Sequence, residues 1–135
     1  MAKLFQIEEP EGPPLDASGP GAAVGIGVSK AGGAVAFAVG GNAEILPASD
    51  GETILHESDL QALLLGLRAR AERQLARPVT HAVIAIPPIE AGPLAVAARE
   101  SGITVLEALD PGTQTAEHAA LEAAIRAEDL APKTA

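Results

Sequence analysis

Ser29, Lys30, Gly32 and Gly33 are the residues whose types and spacing come nearest to a binding chemistry in this sequence. They lie in residues 22–41, AAVGIGVSKAGGAVAFAVGG, where two runs of small and β-branched residues flank a lysine and a glycine pair. Glycine takes positive φ at no steric cost, and the N–H groups of such a turn can converge on an anion. The chemistry would be phosphate or other anion binding, with Lys30 as counter-charge. Walker spacing is absent, so a solvated turn lysine is the simpler reading of Lys30.

Other chemistry-bearing residues are dispersed. His56, His81 and His118 show neither HxH nor HExxH spacing, so scattered surface histidines are expected and no metal site. Ser29, Ser49, Ser58 and Ser101 lack a nucleophile-elbow context. Asp50, Glu52 and Glu57 make an acidic loop that could carry a cation, with a solvated loop the simpler reading. Arg68, Arg70, Arg73 and Arg77 form the one concentrated basic feature, read either as a solubilising helix face or as a surface for an acidic partner. With no cysteine, thiol redox, zinc–thiolate and iron–sulfur ligation by this chain are excluded.

The totals narrow the classes further. The chain has 135 residues and a formal charge of -9, which fits one domain and repels phosphate backbones and anionic lipid. Neither nucleic acid nor a membrane is expected as a partner. Hydrophobic residues make up 47% of the chain but aromatic ones 1%, so the core must be built from Ala, Val, Leu and Ile on closely approaching elements. Glu8 and Glu9 stand where a signal peptide would be apolar, and no run is long enough to span a bilayer. A cytoplasmic protein is expected.

These residues need a scaffold. Residues 1–21 turn from LFQI to EEPEGPPLDASGPG, a composition expected to form an N-terminal arm, with Phe5 as its natural anchor if it docks. Period-two alternation makes residues 22–41 a hairpin, with Val24, Ile26, Val28, Val35, Phe37 and Val39 on one face and Gly and Ala on the other. Its turn is read as Lys30-Ala31-Gly32-Gly33. After Gly40-Gly41-Asn42, residues 43–46 read as a short third strand.

Ser58 and Gln61 have capping-box form and open a helix of about 18 residues whose face is Leu60, Leu63, Leu64, Leu67, Ala71 and Leu75. Residues 80–86 are a strand buried on both faces. Residues 92–101 are a short helix with Gly102 at C′, and residues 103–109 a further strand. Asp110 and Pro111 are read as N-cap and N1 of a last helix, residues 111–129, with Ala116, Ala120, Leu121, Ala124 and Ile125 toward the sheet. The expected organisation is an arm (1–21), one α/β domain (22–130) and a tail (131–135). The order β-β-β-α-β-α-β-α with right-handed crossovers gives a mixed five-stranded sheet of the ribonuclease H-like type.

Specific residues carry a family resemblance. Val24-Gly25-Ile26-Gly27-Val28-Ser29-Lys30-Ala31 resembles the first phosphate loop of DnaK-type chaperones, Gly-Ile-Asp-Leu-Gly-Thr-Thr. Ala71-Glu72-Arg73 through Ala85-Ile86-Pro87 is similar to the helix and strand leading to that family's Val-Pro-Ala-Tyr-Phe segment. Ala97 through Leu106 is similar to the helix, glycine and strand that follow, and Thr113 falls on the Thr of Asn-Glu-Pro-Thr-Ala-Ala. The opening Leu4-Phe5-Gln6-Ile7-Glu8-Glu9-Pro10 resembles the HscA branch, which serves iron–sulfur cluster assembly. The likeness runs over about residues 22–120, with a large piece missing between Leu55 and Ser58, and implies one lobe of an actin-like ATPase.

The departures shape the expected function. Gly27 stands where the family's metal- and water-organising Asp would be, Ser29 replaces the loop's glycine, and Lys30 and Ala31 replace its phosphate-contacting threonines. Asp110-Pro111-Gly112 replaces Asn-Glu-Pro, so the family's Glu is lost. Phosphoryl transfer needs charges placed around phosphate and Mg²⁺, and two-metal nucleases need an acid on the first strand. The expectation is a non-enzymatic, degenerate nucleotide-binding lobe, with no resident cofactor and ATP not expected, acting as a protein-interaction or chaperone-accessory module. Two-fold pairing of copies to rebuild a cleft is one form of this. The alternative is a nucleotide- or anion-binding regulator that uses Ser29, Lys30, Gly32 and Gly33 as a vestigial phosphate loop.

Overall fold

A computed structural model describes residues 21–30, 32–57, 59–88 and 91–131. The expectations for the N-terminal arm with its Phe5 anchor and for the end of the tail lie outside the described residues. Strands β1 (Ala22–Ser29) and β2 (Gly32–Val39) form the expected antiparallel hairpin. Its register pairs Ser29 with Gly32. Gly32 and Gly33 therefore belong to β2 and not, as expected, to the turn. Gly40 and Gly41, with φ of 62° and 86°, turn the chain into β3 (Asn42–Ile45), which pairs with β2.

Helix α1 (Leu60–Leu75) starts from Asp59, whose carboxylate accepts a hydrogen bond from Ala62 N–H at 3.0 Å. Capping-box spacing pointed to Ser58; the N-cap is Asp59, because its carboxylate reaches the orphan N–H three residues on. The helix ends at Ala76, which takes a left-handed φ of 56° and donates its N–H to Glu72 O. Pro78 follows two residues later. Strand β4 (Val79–Ala85), helix α2 (Ala91–Glu100) and strand β5 (Thr104–Leu109) form a parallel crossover beside β1. Gly102, φ 74°, closes α2 as expected, with Ile103 N–H reaching back to Ala98 O at 2.9 Å.

The last helix, α3 (Ala116–Leu130), begins five residues later than Asp110-Pro111 implied. Asp110 instead accepts from Gly112 N–H at 2.9 Å in a tight turn, and Thr115 is the cap, accepting from His118 N–H at 3.1 Å. An aspartate two residues before a glycine serves a turn as readily as a cap.

The sheet is five-stranded and mixed, in the order β3-β2-β1-β4-β5. Together with the β-β-β-α-β-α-β-α sequence of elements, this is the expected architecture, consistent with the ribonuclease H-like fold. Strand alternation divides the core in two. Val24, Ile26, Val28, Val35, Ala82 and Ile84 pack under α1 and α2 with Leu63, Leu64, Leu67 and Leu94. Ala34, Ala36, Ala38, Ala23 and Val83 pack under α3. Burial of each branched side chain on the first face contributes about 1.5–3 kcal/mol. Among the described residues no helix is long and apolar enough to cross a membrane.

Candidate functional site

Parallel pairing of β1, β4 and β5 brings their carboxyl ends to one edge of the sheet, the edge at which open α/β sheets hold ligands. Ser29 and Lys30 end β1 there, and Asp110, Pro111 and Gly112 follow β5. Ser29 Oγ donates to Gly32 O at 3.4 Å. Lys30 is exposed, and no ion pair joins it to a described carboxylate.

The two glycines serve the chain itself. Gly33 N–H donates to Leu55 O at 3.0 Å, and Leu55 N–H returns a bond to Gly33 O at 2.8 Å. Gly32, φ 133°, lies so close to Leu55 O that a Cβ would overlap it, and a Cβ on Gly33 would stand 2.9 Å from Leu67 Cδ1. Gly32 therefore excludes a side chain, because the backbone before α1 presses on β2, whereas Gly33 meets only the side-chain ends of Leu67 and Leu63. Of the four residues, Ser29 and Gly32 meet directly, Gly33 turns its N–H to Leu55, and Lys30 supplies the one full charge.

The opposite face of the hairpin is closed by α3. A Cβ on Gly25 would lie 2.5 Å from Ala120 O, and one on Gly27 would lie 2.7 Å from Ala120 N and overlap Ala116 O. Real Cβ atoms do not approach backbone so closely, so β1 needs glycine wherever α3 crosses it. The helix answers with its own small residues: Ala116, Ala119, Ala120, Ala123, Ala124 and Ala127 are buried. Ile125, expected to face the sheet, is 41% exposed, because an isoleucine would hold the helix off the glycine strand. The Gly and Ala face is thus covered from within.

A glycine turn does hold an anion, at the other end of the hairpin. Glu128 on α3 accepts from Gly40 N–H through Oε2 at 2.6 Å and from Gly41 N–H through Oε1 at 2.9 Å. Two successive positive-φ residues aim adjacent N–H groups at one carboxylate. The sequence offered Gly40-Gly41 as a turn; the carboxylate that fills it lies far along the chain.

The arginines divide. Arg70 is 4% exposed and donates from a terminal nitrogen to Thr53 O at 3.1 Å, while Thr53 Oγ1 donates to Glu117 on α3 at 2.7 Å. Burial, then the neighbouring Arg73, lowers the proton affinity of the Arg70 guanidinium; Asp50 and Glu52 oppose this. Arg68 donates to Ser101 O at 2.6 Å, and its Nε lies 3.3 Å from Glu72 Oε2. That approach is an ion pair without hydrogen-bond alignment, since Nε is buried with no hydrogen-bond partner. Glu72 also accepts from Val79 N–H at 2.8 Å. Of the stripe read as a solubilising face or a surface for an acidic partner, Arg73 and Arg77 are exposed. Helical periodicity placed the arginines on α1, but nothing local marked Thr53 or Ser101 as their acceptors.

The histidines stand apart. His81 Nδ1 is 2.7 Å from Thr80 Oγ1, His118 pairs with Glu122 at 3.5 Å, and His56 lies in the loop before α1. Among the described residues no group of three or more His, Cys, Asp or Glu side chains is placed to hold a metal ion. No protein-family model matches the sequence, and no curated protein matches it significantly.

Proposed function

We propose that this chain is a non-catalytic domain of the actin-like ATPase type, related to the nucleotide-binding lobe of DnaK and HscA chaperones, and that it works by binding another protein. The observation that carries this reading is Gly27. In the resemblance it stands where the family's metal- and water-organising aspartate falls, and the backbone of Ala116 and Ala120 fills the space a side chain there would need. β1 carries no carboxylate at all, so neither phosphoryl transfer nor two-metal hydrolysis has its first acid. Commitment of Gly33 N–H to Leu55 further reduces what an incoming phosphate could meet.

The test is twofold. Purified chain incubated with Mg²⁺ and ATP is expected to release no phosphate above buffer, and stoichiometric co-purification of one defined protein from the native cell is expected. Turnover abolished by Lys30→Ala would overturn the non-catalytic reading. The alternative, an anion-binding regulator, draws on the exposure of Lys30 and predicts a calorimetric signal with ATP or inorganic phosphate that Lys30→Ala removes.

A further inference from the structure

We propose that the outer edge of β5 receives an extended, basic segment of a partner protein by strand addition; this rests on the protein-interaction reading above and names its surface. Among the described residues β5 is hydrogen-bonded to a strand on one side only. Leu109 O accepts from Ile86 N–H at 2.9 Å, so Leu109 directs its backbone groups inward. By strand alternation Ala108 directs its own outward. An edge of this kind is a template for another strand. The other edge is poorer, since β3 has four residues and Leu55 takes the next ladder position on β2. Val105, Leu106 and Leu109 are only partly buried, leaving apolar surface for alternate side chains of an incoming strand.

Charge selects the occupant. Glu107 lies in the strand and Asp110 directly after it. Arg126 on α3 binds Glu107 at 2.6 Å, which brings its helix neighbours Glu122 and Asp129 to the same side. Arg126 stands against Glu107 and Asp129 and His118 against Glu122, so with Asp110 the acids on and beside β5 outnumber the bases. A second copy is disfavoured, because two-fold pairing of β5 would set these acids against themselves in chains that each carry -9. A basic strand meets complementary charge instead.

Isotope-labelled full-length chain is titrated with a lysine–valine alternating peptide of about ten residues and with its glutamate–valine counterpart. Saturable amide shifts are expected at residues 104–109 and on β4 with the lysine peptide only, weakening as salt rises. Ala108→Pro, which removes an outward N–H from an edge strand, is expected to weaken binding about tenfold or more with the thermal midpoint retained. If that variant does not fold, the two peptides on the native chain still decide. Absence of saturable shifts on β5, equal binding of the glutamate peptide, or dilution-dependent β5 shifts without peptide would each overturn the proposal, the last by assigning the edge to a second copy. A partner that still co-purifies while β5 stays silent removes this surface and leaves the interaction reading standing.

Discussion

Gly27 on β1 lies directly beneath the carbonyl of Ala116 at the start of α3, with no room between them for a single added carbon. Close approach of a strand and a helix backbone is available only to the smallest residues, and here it makes the core. The same contact removes the place where an acid would stand on the first strand. Packing and the absence of a carboxylate are one fact at this position.

Substitution at Gly27 should therefore be costly. Gly27→Ala forces α3 outward and is expected to lower stability by about 1–3 kcal/mol, the usual range for overpacking. Gly27→Asp adds a carboxylate with no room and no partner, and should cost more. Chemical denaturation reads both. A neutral Gly27→Asp would mean that α3 does not sit on β1 as described.

Glu128 should act as a bolt between α3 and the β2–β3 turn. Glu128→Ala leaves the N–H groups of Gly40 and Gly41 to water, so the loss is modest, about 1 kcal/mol. Amide exchange should quicken at both glycines while β1 and β4 stay protected. Unchanged exchange at Gly40 and Gly41 would contradict the assignment.

Arg70 should hold the segment around Thr53 against α1. Replacing it by alanine strands the Thr53 carbonyl and opens a gap, with an expected loss of about 1–3 kcal/mol. Its specific signature is faster exchange at Gly33 and Leu55, whose mutual bonds depend on that segment staying in place. Arg73→Ala, at an exposed position, should change neither quantity.

The N-terminus of α1 gives a local check. Asp59→Ala should cost about 1 kcal/mol, the usual value of an N-cap. A thermal midpoint equal to that of the native chain would show that Asp59 is not the cap.

Much of the fold was legible because period-two and helical spacing are written in the chain itself. Val24, Ile26 and Val28, and Leu63, Leu64 and Leu67, declare their faces without help from distant residues. The short meander and the two crossovers then leave few strand orders to choose from. The face of α3 was read less well. Hydrophobicity draws Ile125 inward, but closeness to Gly25 and Gly27 selects smallness, and Ala119, Ala123 and Ala127 take the buried places. Burial of Arg70 is not legible in the sequence because its acceptor, Thr53 O, sits in a loop with no periodic signal. Gly32 and Gly33 drew notice as an anion cradle. What meets them, the Leu55 carbonyl at Gly32 and the Leu67 side chain at Gly33, depends on elements that come together only in the folded chain.

The most direct test of the central claim, that this glycine hairpin is structural and takes no nucleotide, is a backbone-amide titration with Mg²⁺ and ATP to millimolar concentration. No saturable shift is predicted at Val28, Ser29, Lys30, Gly32 or Gly33. Saturable shifts at these residues, lost in Lys30→Ala, would contradict it.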